Sequence, residues 1–346
     1  MDFDIVLLPG DGIGPELTDG AVAVLSAIER KFGHNFNMRE MPIGGSAVDL
    51  TGVPLPEDTL YACKNADGVI LGAVGGEKWN DIKPHNRPER AIRTLYAAMG
   101  LHAGIYPVAP LSANLSKLKN VKNANILLVR DLYGGTNSGE HGYRDGVLGQ
   151  EAFDTIVYSI CETESIARVA LALAAVRKNK ITSVDKADAL YSGKIWRATV
   201  ERLAKTADVT LESEYAESFI ESFAANPEKY DVVLVSNLIG TLLVPMLSAV
   251  PGSMGLMPMY ALGNGKTGVY GGAQNTFVKH DNPVGTILAS AMLLSSLGLS
   301  TEAAAIEKAV KKTLSKGLRT ADIANGKKYV SCARMSEEIA MTVLNT

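Results

Sequence analysis

Side chains that bind transition metals or form disulfide bridges are scarce in this sequence of 346 residues. It has three cysteines, Cys63, Cys161 and Cys332, and five histidines. The cysteines lie far apart and show neither the paired spacing of a zinc site nor that of a redox motif. We therefore expect structural or incidental thiols.

Charge bias and long apolar runs are also absent. The formal net charge is -3, which gives no long-range attraction to nucleic acid or to an anionic membrane. Apolar runs such as residues 170–176 are far shorter than the roughly 20 residues that a membrane helix needs. The first eight residues carry two aspartates and enter a predicted strand directly, which is not typical of a secretory signal. We expect a cytoplasmic protein.

Hydrophobic residues make up 47% of the chain, which is enough for a sizeable core. Short β-branched runs alternate with turn glycines and helical segments, and this order favours an α/β fold with mixed, mainly parallel sheets. The pattern predicts strands at residues 3–8 and 68–74 and a helix over residues 15–31. It also predicts a polar hairpin at residues 44–52 and a long helix over residues 153–180.

The stretch from residue 231 to residue 258 is expected to hold the chemistry. Val232 to Ser236 form a continuous β-branched run, which is typical of a strand buried on both faces of a parallel sheet. We predict a loop over Asn237 to Gly240. Ligands of open α/β sheets bind at the carboxyl ends of such strands, so functional side chains are expected there.

Four further motifs are similar to one known family. They are LLPGDGIGPE at residues 7–16, GGEKW at 75–79, RPE at 87–89 and SVDKADAL at 183–190. Together with the stretch at 231–258 they resemble the β-decarboxylating dehydrogenases, the family of isopropylmalate and isocitrate dehydrogenases, and most closely its isopropylmalate branch. The resemblance covers essentially the whole chain.

This resemblance implies an isopropylmalate dehydrogenase-like fold of two α/β lobes with a cleft between them. Residues 1–100 and 252–346 would form the first, cofactor-binding lobe. Residues 101–251 would form the second lobe, for dimerisation and substrate binding, with an arm near residues 131–150. Active sites are shared between two subunits in the family, so a homodimer is implied.

Catalytic roles also follow from the resemblance. Lys186, beside Asp185, would reach into the partner subunit's site and be the base, or relay to the base, that deprotonates the substrate hydroxyl, and a lowered pKa would suit that role. Arg130 aligns with a substrate-binding arginine. Glu217 stands in place of a metal-binding aspartate, and we expect it to pair with Lys186 or Arg130, or to contact a different group of the substrate. The family's catalytic tyrosine falls on Asn137, which cannot act as a general acid.

The sequence departs from the family at the metal and substrate positions. Thr241 and Pro245 replace two metal-binding aspartates and lack the anionic oxygen that a hard cation needs. Two tyrosines replace arginines that bind the malate carboxylates in the family. This change indicates one of two outcomes. Either the substrate has fewer carboxylates and contacts the tyrosine rings, or the rings fill the former substrate pocket with apolar side chains and activity is lost. The candidate substrate residues are Ile92, Arg93, Tyr96 and Tyr106.

The resemblance implies NAD as the cofactor, and the missing aspartates imply that no divalent metal binds. Asparagine replaces the aspartate that binds the adenosine ribose, which weakens that contact without creating a site for a 2′-phosphate. The candidate cofactor residues are Ile13, Gly75, Glu89, Tyr270, Gly271, Ala273, Asn275 and Asn282.

These observations favour a divergent, metal-independent, NAD-linked oxidoreductase for a hydroxy acid other than 3-isopropylmalate. The changes cluster at the site while the glycine, proline and core patterns remain, which is typical of changed function. Two alternatives stay open. One is a non-catalytic or regulatory homologue, as in heteromeric isocitrate dehydrogenases, and the other is a metal-free decarboxylase or lyase.

Overall fold

The computed structural model describes residues 1–112, 114–273 and 282–345. Its strands are β1 (Asp2–Gly10), β2 (Asn35–Glu40), β3 (Gly68–Ala73), β4 (Leu101–Val108), β5 (Ile126–Asp131), β6 (His141–Gly146), β7 (Gly149–Asp154), β8 (Lys180–Asp185), β9 (Thr210–Tyr215), β10 (Val232–Val235), β11 (Pro258–Gly263) and β12 (Val269–Gly272). Its helices are α1 (Gly14–Phe32), α2 (Gly45–Thr51), α3 (Glu57–Asn65), α4 (Glu89–Met99), α5 (Ile160–Ala175), α6 (Tyr191–Ala207), α7 (Ala216–Ala225), α8 (Asn237–Leu247), α9 (Val284–Ser296), α10 (Ser300–Ser315) and α11 (Cys332–Leu344). The predicted α/β fold is confirmed.

The chain divides into two compact units. Unit 1 comprises Met1–Leu101, Pro110–Lys117 and Ser248–Thr346, and unit 2 comprises His102–Ala109 and Leu118–Leu247. The cofactor-binding and dimerisation roles of these parts of the chain stay predictions.

Unit 1 is built on strands in the order β2, β1, β3, β12, β11, of which only β11 runs antiparallel to its neighbour. Helices α1, α9, α10 and α11 bury the main core with this sheet. Ile28, Ile287, Ile306 and Ile339, one from each of these helices, are fully buried. This core fixes the start of α1, where the first glycine-rich motif lies.

Helix α1 shows how local sequence sets an element. Pro15 lies in its first turn, Glu16 supplies an acidic side chain there, and Gly33 ends the helix in the left-handed conformation with φ 74°. Proline and an acidic residue suit a helix start, and glycine suits its end. The predicted helix over residues 15–31 is confirmed.

Unit 2 holds strands in the order β4, β5, β10, β8, β9. β4 is antiparallel to β5, and the other neighbours are parallel. Every residue of β10 is buried, as predicted for a central strand of a parallel sheet. Trp196, Phe219 and Phe223 are fully buried side chains on the helices of this unit.

Strands β6 and β7 form a separate antiparallel hairpin, with His141 opposite Asp154 and Gly146 opposite Gly149. Val147 and Leu148 at its tip are fully exposed. The hairpin overlaps the arm that the resemblance implies, and its pairing with a second subunit stays a prediction.

Three local predictions are wrong. Residues 45–51 form helix α2, flanked by Gly44 and Gly52 with positive φ, and β2 pairs with β1 in parallel, so this region contains no hairpin. Residues 153 and 154 belong to β7, and the capping box of Ser159 and Glu162 starts α5 only at Ile160. Asn237 opens helix α8 directly, so no loop separates β10 from the apolar stretch.

Within the described ranges, no helix is both long enough and apolar enough to span a bilayer.

Candidate active site

Charged side chains gather where the parallel strands of unit 2 end. Arg130 of β5 lies opposite Val235 of β10, Val235 opposite Val184 of β8, and Val184 opposite Glu214 of β9. The segments that follow these residues therefore leave the sheet along one edge. Neighbouring strands lie about 4.8 Å apart, and β10 lies between β5 and β8. We call this edge the carboxyl edge of unit 2.

Arg130 is held by the first turn of α8. Its Nε donates to the Asn237 carbonyl at 3.2 Å, and its Nη2 donates to Thr241 Oγ1 at 2.5 Å. The Thr241 hydroxyl in turn donates to the Asn237 carbonyl at 3.1 Å. The guanidinium is thereby fixed by a backbone group and a neutral side chain, with no carboxylate in either contact.

A buried network beside Arg130 joins three segments of unit 2. The Tyr158 hydroxyl donates to Asp131 at 2.8 Å and accepts from the Asn237 amide at 2.9 Å. The Asn237 side chain donates to the Asp131 carbonyl at 3.0 Å, and Gly134 donates to the Asp131 carboxylate at 2.8 Å. The network fixes the start of α8 and with it the contacts of Arg130.

Burial raises the pKa of Asp131, although its hydrogen bonds from Tyr158 and Gly134 act in the opposite direction. It also raises the pKa of Tyr158, with a further contribution from the Asp131 charge. Sequence reasoning missed these residues. The available signal was Asp131 directly after Arg130 at the end of a buried strand.

Asp185, a predicted catalytic residue, is committed to an ion pair within unit 2. Its carboxylate is 2% exposed and accepts from Arg197 Nε and Nη2, both at 2.9 Å, and from the Ala187 amide at 2.9 Å. The Arg197 guanidinium lies 4.4 Å from the centre of the Tyr215 ring. Asp185 therefore positions the segment that carries Lys186.

Lys186 lies between two carboxylates of its own chain. Its Nζ is 2.6 Å from Glu217 Oε1 and 2.9 Å from Asp188 Oδ2. The predicted pairing of Glu217 with Lys186 is confirmed. Glu217 first and Asp188 second raise the pKa of Lys186 above its ordinary value. The expected lowering of that pKa is therefore wrong for this chain, because both neighbours of the ammonium are anions.

A small cavity lies next to Lys186. Its volume is about 40 Å³, and Tyr158, Asp185, Trp196 and Leu238 contribute to its walls. Lys186 itself also lines this cavity, so the predicted base borders it.

The arm region carries Asn137, which is exposed and whose side-chain amide donates to the Leu132 carbonyl at 3.4 Å. Tyr133 and Tyr143 are 51% and 76% exposed. Both phenols lie near Asn137 in sequence, and no contact of the described residues assigns either of them a catalytic role.

The donor set at the expected metal position does not fit a divalent cation. The Thr241 hydroxyl is neutral and already accepts a hydrogen bond from the positively charged Arg130. Pro245 lies inside α8 and has no side-chain oxygen. Glu217 is paired with Lys186. Divalent cations of the Mg²⁺ and Ca²⁺ type are bound through carboxylate oxygens. In the part of the chain that the structure describes, no three His, Cys, Asp or Glu side chains come close enough together to hold a metal.

In unit 1, Asp11 organises the first glycine-rich motif. Its carboxylate is 3% exposed and accepts from the backbone amides of Gly45, Ser46 and Gly75 at 2.7 to 2.8 Å. A Cβ atom at Gly12 would meet nothing within 4 Å. The loop before α1 therefore presents an open backbone surface, which fits the close approach of a dinucleotide. Ile13 packs on Leu17 beside this loop.

Helix α4 brings four of the predicted residues to one face. Glu89, Ile92, Arg93 and Tyr96 have the spacing i, i+3, i+4 and i+7, which places them on the same side of a helix. Arg93 is exposed, whereas Tyr96 is 6% exposed. Tyr106 lies in β4 of unit 2 and is 4% exposed. Both phenols are thus buried in the chain, which disfavours rings that contact the substrate, and the loss of activity that infilling would bring stays a prediction.

The remaining cofactor candidates lie around β12. Tyr270 is 5% exposed, stacks on Tyr260 and donates to Ser296 at 2.7 Å, so its ring belongs to the core and not to a ligand surface. A Cβ at Gly271 would lie 2.6 Å from the Leu71 carbonyl, which gives that glycine a packing role. Ala273 donates its amide to Met257.

Asn282 is fully buried, donates to Asp322 and accepts from the Val284 amide at the start of α9. Its side chain is therefore a structural cap. Asn275 lies outside the described residues.

Two features of this chain are typical of a class of ligand-binding α/β proteins that includes many dehydrogenases. One is the row of charged residues along the carboxyl edge of unit 2, and the other is the glycine-rich strand-to-helix loop of unit 1. Residues 4–339 match the family model of isocitrate/isopropylmalate dehydrogenase. The chain belongs to this family, and the resemblance found in its motifs is confirmed.

Individual relatives agree with this assignment. The 3-isopropylmalate dehydrogenase of Geobacillus kaustophilus is 41% identical over 357 residues, covering 99% of this chain and 96% of that protein. The β-decarboxylating dehydrogenase of Thermococcus kodakarensis, solved in its apo form, is 27% identical with a TM-score of 0.78, covering 99% and 96%. The isocitrate dehydrogenase of Methylococcus capsulatus, 24% identical over 99% of both chains, has a TM-score of 0.86 and shows the same fold.

Proposed function

We propose that this protein is an NAD-linked oxidoreductase that acts without a divalent metal on a small hydroxy acid other than 3-isopropylmalate. The observation that carries the proposal is the fixed Arg130 guanidinium at the carboxyl edge of unit 2. An arginine held in this way suits bidentate binding of a carboxylate. The family and its 41% identical 3-isopropylmalate dehydrogenase support the reaction class.

A different substrate is supported by the loss of positive charge. Phenols replace arginines at positions 96 and 106, and both are buried. An arginine fork neutralises one carboxylate, whereas a phenol carries no charge at neutral pH. A malate-type dicarboxylate therefore lacks part of its binding site here.

Each group has a defined role in the proposed reaction. Arg130 binds the substrate carboxylate. NAD would supply the hydride acceptor, and Ile13, Gly75 and Glu89 would hold its nicotinamide end. Lys186 is held as an ammonium ion by Glu217 and Asp188, so it must release its own proton before it can take up the proton of the substrate hydroxyl. Movement of one of these carboxylates away from the ammonium group would favour that release.

We further propose that the protein works as a homodimer through unit 2. Tyr191 and Ile195 lie one turn apart on α6 and are 82% and 39% exposed, and Leu238 and Leu242 lie one turn apart on α8 and are 40% and 68% exposed. We call these four residues the apolar stripe. Contiguous exposed apolar surface is typical of protein interfaces.

A non-catalytic homologue that binds a carboxylate is the second candidate. It is favoured by the double pairing of Lys186 and by the burial of Tyr96 and Tyr106. The two candidates differ in NAD binding and turnover, so one set of measurements separates them.

A thermal-shift panel tests the proposal. We expect NAD to stabilise the protein, by about 2.7 kcal/mol at 100 times its dissociation constant, and Mg²⁺ to have no effect. A monocarboxylic hydroxy acid should stabilise the wild type but not Arg130→Gln, which should keep its response to NAD. Joint stabilisation by Mg²⁺ and isopropylmalate would contradict the metal-free assignment, and a response to acids but to neither NAD nor NADP would select the non-catalytic candidate.

A further inference from the structure

The guanidinium of Arg130 has hydrogen-bonding capacity left over. An arginine has five N–H donors, and two of them reach the Asn237 carbonyl and Thr241 Oγ1. Within the described residues, the structure gives the other three no protein acceptor and Arg130 no ion pair. Asp131, its sequence neighbour, is occupied by Tyr158 and Gly134. A charged donor group with free N–H bonds at a sheet edge requires an anion or water as its partner.

Gly240 makes room for the arginine side chain. A Cβ atom at this position would lie 2.5 Å from both Cγ and Cδ of Arg130 and 3.0 Å from its Nε. Gly240 lies inside α8 and is not among the described glycines with positive φ, so no unusual backbone conformation requires it. Glycine inside a helix is about 1 kcal/mol less favourable than alanine. The close approach of Arg130 accounts for the residue.

Thr241 holds the far end of the same side chain. Because its hydroxyl proton goes to the Asn237 carbonyl, its oxygen is turned toward Nη2 of Arg130 as an acceptor. The Asn237 carbonyl receives both the threonine proton and Arg130 Nε–H. The three groups form a closed arrangement in which the guanidinium plane is fixed from one side.

The charges at this edge indicate a single anionic group on the ligand. Lys186 is compensated by Glu217 and Asp188, and Arg197 by Asp185. Arg130 then remains as an uncompensated cation among the described residues of the carboxyl edge. One fixed guanidinium pairs with one carboxylate through two parallel hydrogen bonds.

We propose that Gly240 and Thr241 are positioning and specificity residues: they fix Arg130 as a preorganised carboxylate-binding group, and the site takes a monocarboxylic hydroxy acid in place of a metal-chelated dicarboxylate. The ligand class rests on the proposed function, whereas the positioning role does not depend on any activity. Fixing a donor before binding removes the entropy cost of ordering it with the ligand.

Binding of 2-hydroxybutyrate, with malate as the dicarboxylate, measured by calorimetry on the full chain, tests the inference. Thr241→Val removes the hydroxyl but keeps the shape, and Thr241→Ser keeps the hydroxyl. We expect Thr241→Val to weaken 2-hydroxybutyrate binding about tenfold, which corresponds to about 1.4 kcal/mol, and Thr241→Ser to bind within about threefold of wild type. Malate should bind no more tightly than 2-hydroxybutyrate, with or without Mg²⁺.

Gly240→Ala gives an independent test because its Cβ would lie 2.5 Å from Cγ and Cδ of Arg130, so the arginine side chain must move. We expect this displacement to weaken 2-hydroxybutyrate binding at least tenfold. A glycine that does not position Arg130 would leave the binding constant unchanged on replacement by alanine. The guanidinium N–H resonances of Arg130 in nitrogen-15 spectra should be protected from exchange in wild type and Thr241→Ser. Thr241→Val should lose protection at Nη2, and Gly240→Ala at both Nη2 and Nε.

The outcomes separate the inference from the proposed function. If wild type, Thr241→Val and Gly240→Ala all bind 2-hydroxybutyrate equally well, the positioning role is overturned. No binding of 2-hydroxybutyrate to the wild type, or malate binding that is tighter and needs Mg²⁺, overturns the ligand class. Binding with the expected variant pattern but without NAD-linked oxidation supports the inference and removes the proposed oxidoreductase activity.

Discussion

The charge state of Lys186 depends on its immediate neighbours, which the sequence pattern alone did not define. The SVDKADAL motif marks the lysine, but the pattern does not show that Asp188 turns back to it or that α7 brings Glu217 to 2.6 Å from its ammonium group. The ion pairs favour the protonated form. A lysine that is to act as a base at neutral pH must first lose part of this stabilisation.

Replacing Glu217 should lower the pKa of Lys186. Glu217→Gln removes the carboxylate that raises the pKa of Lys186 most and leaves the contact with Asp188. We expect the titration of the Lys186 Cε resonance to move to lower pH, remaining above the ordinary lysine value if Asp188 keeps its contact. Carbon-13 NMR of the folded protein between neutral and alkaline pH measures it.

Glu221→Gln is a matched control for that titration. Glu221 lies one turn further along α7 and is exposed, so its replacement removes the same charge without touching Lys186. An unchanged pKa in Glu217→Gln, or an equal change in both variants, would show that the ion pair does not set the charge state. The stability that the pair contributes should be present at neutral pH and be lost as pH rises through the folded pKa of Lys186.

At the scale of elements, hydrophobic pattern and capping residues predicted most of the sheet and the main helices. β10 and α1 were predictable because a buried β-branched run and a proline-glycine pair are local signals. The start of α8 was not, because Gly240 and Pro245 are usual signs of a break. Hydrogen bonds from residues more than 75 positions away, Tyr158 and Arg130, support this start.

Local signals likewise predicted only part of the site. Motifs predicted Arg130, Lys186 and Glu217. Their position at one edge of the sheet followed because the carboxyl ends of parallel strands lie at the same edge. Tertiary packing, in contrast, determines three features of the site. They are the burial of Tyr106, the hydrogen bond of Asn282 at the start of α9, and the Asp131 network. Sequence spacing does not report which polar groups are already satisfied inside the fold.

Tyr158→Phe should destabilise unit 2 through the start of α8. The substitution leaves the buried Asn237 amide without its acceptor and Asp131 without one donor. An unsatisfied buried polar group costs about 1 to 3 kcal/mol, so we expect a loss of that size in the free energy of unfolding. Urea denaturation at neutral pH measures it.

Tyr61→Phe supplies the comparison for Tyr158→Phe, because Tyr61 is 73% exposed on α3 of unit 1 and water can replace any bond its hydroxyl makes. Its free energy of unfolding should change by less than about 0.5 kcal/mol. Equal losses in both variants would indicate that the Asp131 network does not stabilise the fold.

At the scale of the whole molecule, the apolar stripe is a feature of unit 2 that folding of one chain does not explain. Its two helices adjoin each other, since Leu190 before α6 and Leu238 of α8 line the same cavity. An isologous interface places the same patch of both subunits face to face. Leu242, at 68% exposure, can then be tested without disturbing the core.

Leu242→Glu should convert a dimer to a monomer. Two glutamates facing each other across a twofold axis would bring like charges into an apolar contact, which is strongly unfavourable. Leu50→Glu makes the same change at a side chain that is 75% exposed on α2 of unit 1, and should leave the dimer intact. Sedimentation equilibrium at several protein concentrations distinguishes them. A monomeric wild type, or a dimer that survives Leu242→Glu, would show that the apolar stripe does not hold two copies together.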